Sequence, residues 1–333
     1  MTMDTTGAED LSLDRIAEAA ATVDPVFLGT PQYVDEQLAA ALGRPVLTKV
    51  ETLNPLRSFK GRGADYLVSG LPAGETVVCG SGGANFGQAI AYAARRHGLS
   101  ADVFVSADAS PVKLRRIRTF GADVHPVEGD PKAAAEEYAA RERDRHYVVD
   151  GREAAISEGA GTIGVELARN EDVDTLLLPV GDGALVTGVA RWLRAHRPAV
   201  RIVGVGAAAA PAMAHSWREG RAVPMERRSA FAAGIAVSAP VPEAVRRVRA
   251  LVDDMLLVED RELAEAMHLA ARTLGVLPEP AAVAGLAALT AHDVPGDLVA
   301  TVLTGANADL DVYAELGAAP ADLVSGGVSG PAE

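Results

Sequence analysis

Apolar positions recur at helical spacing and then at strand spacing, in an order that alternates along most of the chain. Ser12 caps a helix over 13–21 in which Leu13, Ile16 and Ala20 share one face. Thr30-Pro31 interrupts the chain, and a second helix over 34–42 ends at Gly43. Residues 45–50 read as a strand. The turn Leu53-Asn54-Pro55-Leu56-Arg57 then leads into Ser58-Phe59-Lys60-Gly61-Arg62-Gly63 and a helical pattern over 64–69. From Glu75 onward, strands at 76–79, 101–105, 123–127 and 146–149 are separated by helices at 86–97, 111–120 and 132–143. Such a βαβαβ order predicts parallel strands joined by right-handed crossovers.

The pattern then restarts. It predicts helices over 159–170, 185–196 and 211–219 and strands over 174–180 and 201–205. An irregular stretch rich in Ala, Pro and Arg spans 221–242. Helices follow over 242–252, 260–274 and 280–291, with strands over 256–258 and 299–303. The expected fold is α/β, with two open twisted, mostly parallel sheets flanked by helices. A large domain would comprise 1–74 and 153–333, with a small βαβ domain, 75–152, inserted in it. Residues 1–10 and 324–333 are expected to be loose tails. No repeat of fixed period and no heptads interrupt this reading.

Composition narrows the function. Of 333 residues, 49% are apolar, enough for a sizeable core, and the formal charge is −14. Lys and Arg are scattered, so no basic stripe points to nucleic acid or an anionic membrane surface. No apolar run is long enough to span a bilayer, and the acidic N-terminus lacks a signal core. Cys79 is the single cysteine, so no internal disulfide forms and a reducing, cytoplasmic setting is expected. The histidines and Cys79 show no metal-ligand spacing, and H-E-x-x-H, C-x-x-C and G-x-S-x-G are absent.

Two kinds of turn carry candidate chemistry. Lys60 stands at a turn-to-helix junction between small or apolar neighbours. Desolvation there favours its neutral amine, which is the reactive form of a Schiff-base lysine; taken alone, a solvated lysine at a helix start fits the same residues. Leu176 to Val180 followed by Gly181-Asp182-Gly183-Ala184 is a strand, a glycine turn and a helix. Successive N–H groups there bind a phosphate, although a tight turn with no ligand fits equally. Asp182 would repel a phosphate, so it is expected to point away and cap the helix. The turn Gly80-Ser81-Gly82-Gly83-Ala84-Asn85 also opens a helix. A dinucleotide site would need an acid at the end of the next strand. Ser106-Ala107 and Gly206-Ala207 stand at those two ends, which disfavours nicotinamide. Thr304 and Gly305 close the last strand; alone they read as a plain turn.

Taken together, these pieces resemble the pyridoxal-phosphate enzymes of the tryptophan-synthase-β fold type, most closely the threonine/serine dehydratase branch. The resemblance runs from about Leu11 to Asp311. It rests on Thr30-Pro31, on V-L-T-K-V-E-T-L-N-P-L-R-S-F-K-G-R-G-A from Val46, and on G-G-A-N-F-G-Q-A from Gly82. E-G-A-G-T-I-G-V-E-L from Glu158, P-V-G-D-G-A-L-V-T-G from Pro179, E-P-A-A from Glu279 and T-G-A-N from Thr304 complete it.

The resemblance implies that pyridoxal 5'-phosphate lies in the cleft between the two domains, bound to Lys60 as a Schiff base and flanked by Phe59. It implies that Asn85 bonds the ring hydroxyl and that Gly82, Gly83, Ala84, Asn85 and Phe86 receive the substrate carboxylate. Gly181, Asp182, Gly183, Ala184 and Leu185 would cradle the phosphate, Thr304 would bond the pyridine nitrogen, and Glu279 would lie near the ring. A hydroxyl at 304 cannot keep the ring nitrogen charged, so loss or replacement of a β-substituent is favoured over long-lived carbanions. A homodimer acting on a small amino acid is expected.

Departures qualify this. Gly83 and Ala84 replace the branch's usual serine or alanine and glycine, which disfavours racemisation. Gly206 stands where the branch's divalent-cation site has a glutamate, so no metal is expected. Leu53-Asn54-Pro55 and Thr304-Gly305 lean toward threonine synthase, while Gly87-Gln88 leans toward dehydratases. The implied activity is α,β-elimination from threonine, serine or an analogue, by a lyase of ammonia-lyase type. Its rivals are a β- or γ-replacement synthase and an inactive cofactor-binding paralogue.

Overall fold

The computed structural model describes residues 6–81, 85–229, 231–308 and 310–317. Its strands are β1 (Gln32–Val34), β2 (Val46–Val50), β3 (Thr76–Gly80), β4 (Ser100–Ser106), β5 (Asp123–Val127), β6 (Arg145–Val148), β7 (Thr175–Pro179), β8 (Arg201–Ala207), β9 (Asp254–Val258) and β10 (Val299–Leu303). They form two sheets, ordered β1-β2-β10-β7-β8-β9 and β5-β4-β3-β6. Among these strands only β1 against β2 is antiparallel; every other pair is parallel. All residues of β2, β7 and β10 are buried, as expected where helices cover both faces of a parallel sheet. The chain is therefore an α/β protein of two mostly parallel sheets.

The smaller sheet is built entirely from residues between 76 and 148, and the larger one from the segments on either side. Parallel sheets bind ligands beyond the carboxyl ends of their strands. Here the ends of β2, β7 and β10 lead into the Lys60 turn, the Gly181 turn and Thr304, while β3 leads toward Asn85.

Several elements depart from the expected boundaries. The helix expected from Ala64 begins at Lys60. Gly61 and Gly63 look like helix breakers, but they are close-approach residues. A Cβ on Gly61 would lie 2.5 Å from the Phe27 ring, and one on Gly63 2.5 Å from the Ile156 carbonyl. The helix expected over 159–170 spans Ala154–Leu167, and that expected from Pro280 opens as a 3-10 turn, Pro280–Val283, before Ala284–Ala291. β1 and the helix Leu310–Gly317 were not expected from the sequence.

The loose tail expected over 1–10 is corrected at its inner end. Ala8 is buried, and the Asp10 carboxylate takes hydrogen bonds from Arg247 at 2.6 Å and Arg246 at 2.9 Å. The tail expected over 324–333 lies outside the described residues. No helix among the described residues is long and apolar enough to cross a membrane.

Candidate active site

The Lys60 turn is held from within and from outside. The Asn54 side chain accepts from the N–H groups of Leu56 and Ser58 and donates to the Glu51 and Ser58 carbonyls. The Phe59 N–H donates to the Thr304 carbonyl at 3.0 Å, and the Ala306 N–H to the Arg57 carbonyl at 2.9 Å. The Lys60 turn and the loop after β10 are thus one hydrogen-bonded unit. Lys60 is the first residue of the helix Lys60–Ser69, and its Nζ lies 4.8 Å from the centre of the Phe59 ring.

One cavity is lined by Phe59, Lys60, Asn85, the Gly181–Leu185 turn, Glu279 and Thr304. These sites, widely separated in sequence, are brought together. Phe86 is buried in the apolar core that includes Val77, Cys79 and Ile90, and does not line the cavity. As the second residue of an amphipathic helix it turns its side chain inward, which leaves only its backbone N–H for the role expected of it toward a substrate carboxylate. Gly82, Gly83 and Ala84 lie outside the described residues.

Asn85 stands in a chain of side-chain bonds. Its amide donates to Glu279 Oε1 at 2.6 Å, and its Oδ1 accepts from the Asn307 amide at 2.7 Å. Asn307 also donates through its side chain to the Leu56 carbonyl and through its backbone N–H to Glu279 Oε2. Burial pushes the Glu279 carboxyl up, while the Asn85 and Asn307 donors oppose the rise. Thr304 is buried and lines the cavity, and its hydroxyl has no hydrogen bond among the described residues.

At the Gly181 turn the residues fit a phosphate. Gly183 sits at φ +95°, a left-handed conformation that disfavours a side chain. It heads the helix Ala184–His196 with no side-chain cap. The first N–H groups of that helix lack intrahelical acceptors and border the cavity. The expectation that Asp182 caps this helix is corrected: the N-cap is Gly183, and no side chain caps it. Asp182 Oδ1 accepts from Lys132 Nζ at 2.9 Å. Burial pushes the Asp182 carboxyl up and Asp150 adds to the rise, while Lys132 and Lys60 oppose it.

Two residues escaped the sequence reading. Asp150, just after β6, places Oδ2 2.5 Å from Lys60 Nζ. Its Oδ1 is buried without a partner among the described residues. Lys132 reaches the Gly181 turn from the helix Pro131–Ala139, which packs beside the smaller sheet. A carboxylate at the carboxyl end of a parallel strand was the available signal for Asp150, since ligands gather there. Lys132 carried no such signal. Among the described residues, no group of three or more His, Cys, Asp or Glu is placed to hold a metal ion.

Comparison with known proteins shows the family to which the chain belongs. Residues 23–305 match a family described as pyridoxal-phosphate dependent enzyme. The chain is 33% identical over 310 residues to the L-threonine ammonia-lyase of Thermotoga maritima, covering 91% of this chain and 77% of that one. It is 29% identical to the biosynthetic L-threonine dehydratase IlvA of Pasteurella multocida, covering 91% of this chain but 60% of that longer protein. Among solved structures, a threonine deaminase from T.th. superimposes with a TM-score of 0.83 at 29% identity, over 90% of this chain and 99% of that one.

Proposed function

The chain belongs to the pyridoxal-phosphate-dependent enzymes, and from that premise we propose that it is an ammonia-lyase eliminating the β-hydroxyl of threonine or serine. The observation that carries the proposal is the convergence of Lys60, an uncapped helix N-terminus and Thr304 on one cavity. When bound, the cofactor supplies an electron sink conjugated to the substrate nitrogen. Lys60 would hold it by a Schiff base, the Gly181–Leu185 N–H groups its phosphate, and Asn85 and Thr304 the polar atoms of its ring.

Once the substrate amine has displaced it, Lys60 Nζ takes the Cα proton as general base. Asp150 Oδ2, within contact of that nitrogen, stabilises the ammonium so formed. The β-hydroxyl leaves as water, which in net carries away the proton that Lys60 took from Cα and returns the lysine to its neutral form. The enamine then takes water back as it hydrolyses to a 2-oxo acid and ammonia. The Phe59 ring lies beside Lys60 Nζ, 4.8 Å from it to the ring centre.

The same reading divides the chain into a large domain, 1–74 with 153–333, and a small one, 75–152. The separate membership of the two sheets supports this division. It also carries the expectation of a cytoplasmic homodimer, which sedimentation would test. The activity is tested by supplying purified protein with cofactor and L-threonine or L-serine. Equal release of ammonia and 2-oxo acid is expected. A product formed only when a second nucleophile is added would make the enzyme a replacement synthase. A cofactor-loaded protein inert to both amino acids would sink the elimination reading.

A further inference from the structure

The turn at Gly181 poses an electrostatic problem. It offers backbone N–H groups to an anion, yet it carries the Asp182 carboxylate and borders the same cavity. A second carboxylate, Asp150, adds to the negative field at Asp182. A phosphate dianion placed there would meet like charge at short range.

Lys132 meets that problem from the helix beside the smaller sheet. Its Nζ lies 2.9 Å from Asp182 Oδ1. Its backbone is fixed on both sides. The N–H donates to the Asp130 side chain that caps the helix Pro131–Ala139, and the carbonyl accepts from the Tyr147 hydroxyl at 2.9 Å. The Gly181 turn is equally fixed, because the loop after β6 presses against it. A Cβ on Gly151 would lie 2.1 Å from the Asp182 carbonyl. Burial opposes the charge on Lys132, but Asp182, with smaller contributions from Asp150 and Tyr147, outweighs it and holds the ammonium above the ordinary range.

The pair is not placed to be a major source of stability. The Lys132 and Asp182 side chains are 37% and 21% exposed, and ion pairs of that exposure contribute little to folding. Its consequence is local charge. We propose that Lys132 neutralises Asp182 so that the Gly181 turn can hold the cofactor's phosphate. Phosphate binding by the larger sheet then depends on a cation delivered from beside the smaller one. Lys132 is a positioning residue, acting through the field it sets at the turn.

This inference rests on the cofactor reading above, and the experiment separates the two. Pyridoxal 5'-phosphate and pyridoxal, which lacks the phosphate, are titrated into the cofactor-free protein while the absorbance band of the bound ligand is followed. Lys132→Met should weaken pyridoxal 5'-phosphate by roughly tenfold or more, from the Coulomb attraction lost at short range. Pyridoxal affinity should change by less than about twofold, since it lacks the charge on which this attraction acts.

Charge counting fixes the remaining order. Asp182→Asn should bind pyridoxal 5'-phosphate at least as tightly as wild type, and Lys132→Met with Asp182→Asn should return to near the wild-type value. The Asp182→Asn arm keeps the proposal testable even if Lys132→Met folds poorly. Equal weakening of both ligands by Lys132→Met, or weaker phosphate binding in Asp182→Asn, would overturn the proposal and leave the pair as a latch between sheets. A wild-type protein that binds neither ligand would overturn the cofactor reading itself, and this inference with it.

Discussion

Lys60 and Arg62 stand two residues apart on one helix, on roughly opposite sides of it, and their surroundings differ in completeness. Arg62 is fully buried, and its charge is fully engaged. It donates to both oxygens of Glu51 at 2.9 Å, to Glu166 Oε1 at 2.7 Å and to the Thr162 hydroxyl at 2.9 Å. Glu166 also takes Lys49 Nζ at 2.5 Å and the Gly29 N–H at 3.0 Å, and the Thr30 hydroxyl donates to Glu51 at 2.5 Å. This set joins β2, the lysine helix and the helix Ala154–Leu167. Lys60 instead has Asp150, whose second oxygen is buried and unpartnered among the described residues. A closed polar network holds a scaffold in one geometry; an open one beside a cavity is arranged for a ligand.

The largest expected effect falls on the open side. Lys60→Ala should lower 2-oxo acid formation by roughly a thousandfold or more, since it removes the residue proposed as both covalent anchor and base. Its urea midpoint should stay near wild type. A folded Lys60→Ala protein with near-normal turnover would erase the distinction.

On the closed side, the effect should appear in stability. Arg62→Ala takes from two buried carboxylates the cation they share, leaving them Lys49, Gly29 and Thr30, and should cost about 3–5 kcal/mol of unfolding free energy by urea titration. An Arg62→Ala protein as stable as wild type would mean that the network adds nothing to the scaffold.

Asp150→Asn sharpens the contrast, because it alters the open set without emptying it. The amide keeps the shape but loses the charge that holds the protonated Lys60. Turnover should drop by roughly tenfold to a hundredfold, read as kcat with little change in the urea midpoint. An Asp150→Asn protein with full kcat would leave the Asp150 contact without a part in the chemistry.

The smallest effect concerns acid. Burial by itself raises the Glu166 carboxyl, but Arg62 and Lys49 outweigh it and bring its pKa from 4.5 to about 2. A depressed carboxyl contributes stability that is fully present above its unfolded pKa and is lost as pH falls through its folded one. The network should therefore weaken between about pH 4.5 and about pH 2, and Glu166→Gln should flatten that part of the stability profile. The same slope in both proteins would place the acid-sensitive group elsewhere.

How much of this was legible in sequence depended on whether the chemistry was local. The lysine turn and the Gly181 turn were each visible as contiguous strand, turn and helix, but each gained a chemical meaning only in order with the other motifs. The alternation of strands and helices was legible in the same way. Asp150 and Lys132 were not, because each is a single charged residue whose meaning comes from a partner on a distant element. Arg62 was visible as part of a motif, but its partners Glu51 and Glu166 are scattered along the chain. The start of the lysine helix was misplaced because Gly61 and Gly63 act through Phe27 and Ile156, contacts that no local pattern encodes.

The central claim is that the incompletely partnered lysine is the reactive one. It is tested most directly by reducing the cofactor-loaded protein with borohydride, digesting it and locating the pyridoxyl group by mass. The label is expected on the peptide that contains Lys60. A label on Lys49, Lys113 or Lys132, or a loaded protein that takes no label at all, would contradict the account.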